Sequence, residues 1–136
     1  MEAAIRQRKV IRVAKAKGYA NGMLSSDGTL YVGGQIGWTV NHIFESLNFI
    51  GQMEQALRNI VEVVEAADGR IEDITRLTWF VLNKKEYAER QREVGEVYRR
   101  VLGRHFPAMS MLVVAGLVED DALLEIEATA YIGRTN

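Results

Sequence analysis

Two glutamates near the C-terminus are the side chains best suited to chemistry. Glu125 and Glu127 lie two residues apart in a segment, 123–132, in which apolar and polar residues alternate, so both carboxylates point to one face of a predicted strand. If that face meets another subunit, at least one carboxylate is partly desolvated, and desolvation raises a carboxyl pKa towards the range that suits general acid–base catalysis. A structural carboxylate bound to backbone amides or to an arginine is the alternative interpretation, and the residues alone favour it.

A second candidate group follows the single proline of the chain. Pro107 sets up entry into a predicted strand, because its fixed backbone angle is tolerated at the first residue of a strand. We expect the backbone near Met109 to face the same crevice as the C-terminal glutamates.

Other residue types that perform chemistry lack the required spacing. Residues 33–37 (GGQIG) follow a predicted strand, but they lack the lysine and hydroxyl of a P-loop and no helix start follows them. His42 and His105 do not have the i, i+4 spacing that places two imidazoles on one metal ion. The sequence contains no cysteine, and its serines have no nucleophile-elbow context. We therefore expect neither a metal nor a cofactor.

The composition is that of one soluble globular domain covering residues 1–136. Hydrophobic residues make up 48% and charged residues 26% of the 136 residues. No stretch approaches the roughly 20 apolar residues of a membrane helix, so we expect no membrane partner. The N-terminus lacks the apolar core of a secretion signal, and a cytoplasmic location is therefore expected.

The charge balance disfavours a nucleic-acid partner. The 17 basic and 18 acidic residues give a net charge of −1, so no field of the whole molecule attracts a polyanion. Basic residues do cluster near the start, at Arg6, Arg8, Lys9, Arg12, Lys15 and Lys17. A basic strand edge that discourages aggregation explains this cluster at least as well as RNA binding does.

Two helices are predicted from the spacing of apolar residues. Apolar residues recur along one helical face over residues 47–64, and Gly69 is the stop signal. The second helix begins after Asn83, which forms a capping-box pattern with Glu86, and it ends at Gly103. Its predicted buried stripe is Tyr87, Val94, Tyr98, Val101 and Leu102. The charged residues between are interpreted as a solvated face: Glu89, Arg90, Arg92, Glu93, Arg99 and Arg100.

The remaining segments predict strands, and the element order predicts the fold class. The strands fall at residues 10–14, 22–25, 30–34, 74–82, 109–115 and 123–132. The order β-β-β-α-β-α-β-β is an α+β layout, in which two helices cover one face of a sheet.

The other face of that sheet needs a partner. The strand at 74–82 carries large apolar residues on both predicted faces: Leu77, Trp79 and Val81 on one, and Ile74, Phe80 and Leu82 on the other. A strand that is apolar on both faces requires cover on both, and a second copy of the same sheet supplies it with the fewest assumptions. We infer a homo-oligomer joined through its sheets; a monomer with a large exposed apolar patch is the alternative.

Five short motifs resemble one protein family. They are residues 18–21 (GYAN), 30–37 (LYVGGQIG), 55–60 (QALRNI), 106–110 (FPAMS) and 125–128 (EIEA). In this order they resemble the RidA/YjgF family of reactive-intermediate (enamine/imine) deaminases, also called the endoribonuclease L-PSP family. The resemblance implies a chorismate mutase-like fold with a mixed six-stranded sheet, a homotrimeric barrel and a small-molecule cleft between neighbouring subunits.

The resemblance also implies a set of site residues. Family members with deaminase activity hydrolyse 2-aminoacrylate or its imine tautomer without cofactor or metal. Their glutamate on the last strand, which positions water, matches Glu125 as the catalytic residue, and their pocket tyrosine matches Tyr19. The arginine that grips the substrate carboxylate is replaced by Met109, a serine is replaced by Gly33, and an asparagine of the second helix falls at Gly95. The implied substrate-binding residues are Tyr19, Gly33, Met109, Ser110 and Met111.

The missing arginine shapes the functional hypothesis. A thioether cannot form the two charge-assisted hydrogen bonds of a guanidinium, so we expect 2-iminopropionate to be a poor substrate. Arg104 and Arg76 are conceivable substitutes. The first hypothesis is a variant imine or enamine hydrolase, and the alternative is a non-catalytic binder of a hydrophobic metabolite in the intersubunit cleft. RNA cleavage is the third and least favoured.

Overall fold

A six-stranded mixed sheet with helices on one side forms the fold. The computed structural model describes residues 9–11 and 20–133. The strands are β1 (Lys9–Ile11), β2 (Gly22–Leu24), β3 (Thr29–Gln35), β4 (Ile74–Val81), β5 (Ala108–Val113) and β6 (Leu124–Tyr131). The helices are α1 (Phe49–Ala66), α2 (Lys84–Ala88) and α3 (Gln91–Leu102), with a 3-10 turn at Ile71–Asp73. The predicted α+β class is confirmed; of the predicted first strand, residues 12–14 lie outside the described residues.

The strand order is β1-β2-β3-β6-β4-β5, which places the C-terminal strand in the middle of the sheet. Neighbouring strands pair antiparallel except β4 and β5, which are parallel and connected through α2 and α3. A parallel pair requires such a crossover, because a short turn cannot return the chain to the same end of the sheet. The edge position of β5 leaves one side of this strand without a described partner.

The first predicted helix is confirmed as α1. It begins after Asn48, whose side chain accepts a hydrogen bond from the Gly51 N–H at 2.8 Å, as an N-cap residue does. Its apolar stripe packs on the sheet, with these residues buried: Phe49, Met53, Ala56, Leu57, Ile60, Val63 and Val64. Burial of this stripe against β3 and β6 forms the main core.

Two polar side chains of α1 fix the loops at one end of the sheet. The Gln52 amide donates to the Ser46 and Asp121 carbonyls at 3.2 and 2.9 Å, and its oxygen accepts from the Leu123 N–H at 2.8 Å. The Asn59 amide donates to two carbonyls of the loop after β3. The side-chain amides of Gln52 and Asn59 therefore provide hydrogen-bond partners for backbone groups of the loops, which do not pair with any strand.

The predicted start of the second helix is correct, but the segment forms two helices, α2 and α3, and not one continuous helix. Asn83 accepts a hydrogen bond from the Lys85 N–H at 2.9 Å, and α2 follows it. At Arg90 the backbone leaves helical geometry (φ −121°, ψ 28°) before α3 begins. Neither proline nor glycine marks the break, so the periodicity of apolar residues alone does not reveal it.

The predicted faces of β4 require one correction. Ile74 is not on the face of Phe80, but is buried in the core with Leu77 and Trp79. The cause is a bulge, since Ile74 pairs with Ala130 while Arg76 pairs with the adjacent Thr129. The extra residue shifts the side-chain alternation by one position.

No helix in residues 9–11 and 20–133 is long and apolar enough to cross a membrane.

Candidate functional site

The face of the sheet opposite the helices is exposed in the single chain, and we call it the open face. It carries side chains from β3, β4, β5 and β6 in register across the sheet: Tyr31, Arg76, Thr78, Phe80, Ser110, Leu112, Glu125, Glu127 and Tyr131. Tyr31, Leu112 and Tyr131 are 53%, 47% and 51% exposed. An exposed surface this rich in large apolar groups is typical of an interaction face.

Glu125 is the half-buried carboxylate of the open face. It lies on β6 opposite Phe80 of β4, and its carboxylate rests on Gly34 of β3, where a Cβ atom would overlap it. Within the described part of the chain, no side chain or backbone group donates a hydrogen bond to this carboxylate. Burial, and then the negative charge of Glu127, raise the pKa of Glu125 above the ordinary value of a glutamate. With respect to residues 9–11 and 20–133, the group is therefore a desolvated carboxylate without an ion-pair partner.

Gly33 precedes Gly34 in β3 and lines a separate groove. The Gly33 N–H donates to the Asn21 carbonyl at 2.9 Å, which fixes the strand above the groove. The groove has a volume of about 410 Å³ and is lined by Gly33, Tyr31 and Glu127 among others. Ala20 also lines the groove, whereas Tyr19 lies outside the described residues. The groove belongs to the open face but is bordered by Glu127 rather than Glu125.

Met109 and Met111 lie on the other side of the sheet. Met109 pairs with Leu77, and Met111 pairs with Trp79, so both methionines point to the side of the helices. Ser110 lies between them in sequence and points to the open face, opposite Thr78. The predicted crevice shared by Met109 and Glu125 therefore does not form within one chain.

Met109 instead borders a pocket between β5 and α3, which we call the α3 pocket. Its volume is about 380 Å³, and it is lined by Leu77, Trp79, Val94, Gly95, Arg99 and Met109, together with aromatic rings of its rim. The rings support one another: Tyr98 stacks on Phe106 with centroids 5.4 Å apart, and Tyr87 packs edge-on against Trp79. The walls are thus largely apolar and held by ring contacts.

Two polar groups of the α3 pocket are absent from the sequence prediction. Trp79 is buried, and its indole Nε1–H has no acceptor among the described residues. Arg99, interpreted from the sequence as part of a solvated face, lines the pocket. The conceivable substitutes Arg76 and Arg104 do not line it; Arg76 lies on the open face. Arg99 follows Gly95 by one helical turn, so the two residues are neighbours on the surface of α3. The sequence alone does not distinguish Arg99 from the other arginines of this segment.

The histidines are engaged in local contacts. His42 stacks on Trp38 with ring centroids 4.1 Å apart, and the His105 Nε2 lies 2.7 Å from the Ile74 carbonyl oxygen. In the part of the chain that the structure describes, no three His, Cys, Asp or Glu side chains cluster as metal ligands would. Neither histidine therefore marks a candidate metal centre.

Comparison with known proteins gives consistent matches over nearly the whole chain. The sequence model of the family described as Endoribonuclease L-PSP matches residues 11–132. The RutC family protein UK114 of Drosophila melanogaster is 34% identical over 134 residues, which cover 93% of this chain and 91% of that protein.

Solved structures match the fold. A Mycobacterium tuberculosis member of the YjgF/YER057c/UK114 family has a TM-score of 0.74 at 28% identity, over 92% of this chain and 99% of that one. The E. coli protein TdcF, crystallised with bound serine, has a TM-score of 0.75 at 25% identity, over 90% of this chain and 98% of that one.

Proposed function

This chain belongs to the RidA/YjgF family, also described as Endoribonuclease L-PSP, and on that premise we propose that it hydrolyses an imine or enamine in a cleft between the subunits of a homotrimer. The observation that carries the proposal is Glu125, a half-buried carboxylate with a raised pKa and no described hydrogen-bond donor. Such a carboxylate is available to accept a proton, whereas a structural carboxylate is occupied by its partners.

The proposed reaction needs only water as co-reactant, and we expect no cofactor or metal. Glu125 accepts a proton from water as the water oxygen bonds to the imine carbon, and the electron pair of the C=N bond moves to nitrogen. Delivery of that proton to nitrogen gives a carbinolamine. Glu125 then accepts the proton of the new hydroxyl group and passes it to nitrogen, the electron pair of the O–H bond forms the C=O bond, the C–N bond breaks, and a carbonyl compound and ammonia leave. An enamine substrate first takes a proton at carbon to become the imine.

The positions of the candidate residues favour a cleft built by two copies. Glu125 and Gly33 lie on the open face, while Met109 and Met111 lie on the helix side of the same sheet. A substrate that touches both groups must therefore sit between one subunit's open face and its neighbour's β5 edge. Exposed apolar residues on both sides of β5, Met109 and Leu112, are consistent with such a contact.

Small carboxylate substrates are expected to be poor ones. Met109 stands where the resembled deaminases have an arginine, and a charged hydrogen bond contributes roughly 1.5–3 kcal/mol. We therefore expect slow hydrolysis of 2-iminopropionate. The family resemblance and the absence of cysteine are both compatible with action in the cytoplasm, which we propose as its location.

The test is ammonia release from a panel of imines generated in situ. Glu125→Gln is expected to lower the rate by roughly 10²-fold or more, because the variant keeps the shape of the side chain but cannot accept a proton. Glu127→Gln is the comparison on the same strand and face. It removes the smaller of the two causes that raise the pKa of Glu125 but keeps the Glu125 carboxylate, so it should retain most of the rate. Equal rates for wild type and Glu125→Gln would rule the proposed role out.

A non-catalytic binder of a hydrophobic metabolite is the second candidate function. The methionine and aromatic lining of the α3 pocket favours it, because such surfaces adapt to apolar ligands. It predicts thermal stabilisation by ligand without turnover. RNA cleavage has less support, since the net charge is −1; salt-insensitive or absent RNA binding would dismiss it.

A further inference from the structure

We propose that the α3 pocket binds the carboxylate of a substrate with a bulky apolar body, and that Arg99 anchors this carboxylate from the helix in place of a cation on β5. The inference rests on the proposed function, since it names the substrate class of that site. In this proposal Arg99 binds the substrate carboxylate, which the uncharged side chain of Met109 cannot do.

The position of Arg99 depends on a glycine of the same helix. A Cβ atom at Gly95 would lie 3.2 Å from the Arg99 Nη1 and 3.9 Å from its Cζ and Nη2. All three contacts are with the guanidinium, so this group lies over the bare backbone of Gly95 at the mouth of the pocket. A larger side chain at position 95 would occupy that space.

No carboxylate in residues 9–11 and 20–133 neutralises the charge of Arg99. Arg92 lies 4.0 Å from a Glu96 carboxylate oxygen, and Arg100 lies 3.0 Å from one of Glu54. Among the described residues, no carboxylate lies within ion-pair distance of Arg99, in contrast to these other two arginines of α3. A guanidinium at a pocket mouth without an acidic neighbour is available for an anionic ligand, and its planar fork suits a carboxylate.

The interior of the pocket indicates the rest of the ligand. Its walls are the apolar faces of Leu77, Val94 and Met109 together with aromatic rings. The buried Trp79, whose Nε1–H lacks an acceptor among the described residues, is also part of this lining. The volume of about 380 Å³ lies within the range of pockets that bind small organic ligands. Because the walls are apolar and aromatic, an arylalkyl carboxylate matches them better than a three-carbon acid does.

The experiment compares 3-phenylpropionate with 3-phenylpropionamide by isothermal titration calorimetry on the full-length protein. These probes share their apolar body and differ in charge. We expect the wild type to bind the acid about tenfold more tightly than the amide, as a charge-assisted pair predicts. Arg99→Gln should lose this preference, because it removes only the charge and the fork.

The matched control is Arg92→Gln, which makes the same charge change on the same helix at a side chain that is 92% exposed and outside the pocket. It should keep the tenfold preference. Equal binding of acid and amide by the wild type would overturn the proposal, and so would an Arg99→Gln variant that still prefers the acid.

Glu125→Gln separates this inference from the proposed hydrolysis. It should abolish ammonia release and leave the preference for the acid unchanged. If the wild type releases no ammonia from any imine but still prefers the acid, the hydrolysis proposal fails while the assignment of Arg99 stands.

Discussion

At the scale of single residues, the proposed site takes its cation from helix α3 and not from strand β5. Met109 on β5 has no charge, and Arg99 on α3 lies at the mouth of the pocket that Met109 borders. The two positions are ten residues apart in sequence, and the loop between α3 and β5 returns the chain so that both line one pocket. We expect this arrangement to favour substrates with a larger apolar body than the three-carbon imino acids, because the walls of the pocket are apolar and aromatic.

Glu125 couples the stability of the fold to pH. Burial raises its pKa in the folded chain, while the unfolded chain titrates at the ordinary glutamate value of about 4.3. The favourable contribution of the protonated group is therefore complete below the unfolded pKa and is lost as the pH rises through the folded pKa. We expect Glu125→Gln, which cannot ionise, to melt at a higher temperature than the wild type at pH 7 and at a similar temperature near pH 3.5.

Differential scanning calorimetry at the two pH values measures this difference. The exposed Glu62 of α1 provides the control, because Glu62→Gln should change the melting temperature little at either pH. A Glu125→Gln variant that melts below the wild type at pH 7 would show that the carboxylate is a stabilising partner, as in the alternative interpretation of the sequence.

At the scale of elements, the alternation of apolar residues predicts β6 well because one face meets the helices. Leu124, Ile126 and Ala128 are buried, and Glu125 and Glu127 point to the open face as the pattern predicts. The alternation of apolar residues within a strand does not predict which face a side chain takes where the pairing with a neighbouring strand is irregular. The bulge near Ile74 comes from its register with β6, which the sequence of β4 does not contain.

For the candidate site, as for the strands, some features were predictable from the sequence and others depend on the packing of the chain. The half-burial of Glu125 follows from its place on a central strand. The sequence predicts a raised pKa only on the condition that another subunit covers this face, whereas burial within the single chain already raises it. The separation of Met109 from Glu125 was not predicted, because it depends on which face of β5 joins the helices. Arg99 resembles any surface arginine in sequence; its direction is set by the gap at Gly95, which is a feature of the packed helix.

Replacement of glycine by alanine should have opposite effects on the free energy of unfolding at two positions, Gly95 inside α3 and Gly103 just after it. Gly95→Ala is expected to stabilise the chain by about 0.5–1 kcal/mol, since glycine in a helix interior is that much less favourable than alanine. The added Cβ meets only the mobile end of Arg99, at 3.2 Å, which can shift by a few tenths of an ångström.

Gly103→Ala is the comparison at the end of the same helix. Gly103 has φ +69° and ψ −141°, a conformation that strains any residue with a Cβ, so we expect a loss of about 1 kcal/mol or more. Urea denaturation of both variants measures the two free energies of unfolding. Stabilisation by Gly103→Ala, or destabilisation by Gly95→Ala beyond 1 kcal/mol, would contradict this account of the helix.

At the scale of the whole molecule, the open face requires a partner if the proposed cleft is to exist. Helices cover one face of the sheet, and the other presents Tyr31, Leu112 and Tyr131 with about half of each side chain exposed. Leu112, Phe80 and Glu125 form one row across β5, β4 and β6. Cover of this row by a neighbouring copy would remove apolar surface from water and complete the desolvation of Glu125 at once. Assembly and catalysis are thereby expected to depend on the same face.

Leu112→Glu tests that dependence. The wild type is expected to sediment at three times the chain mass of 15.3 kDa. A charge at position 112 would be buried without a partner in each contact, which costs several kcal/mol, so the variant should sediment as single chains at micromolar concentration and lose ammonia release. Val118→Glu is the control, because Val118 is an apolar residue that is 96% exposed in a loop outside the sheet, and it should remain assembled and active. A wild type that sediments as one 15.3 kDa particle would contradict the proposed cleft, because a single chain holds Glu125 and Met109 on opposite sides of its sheet.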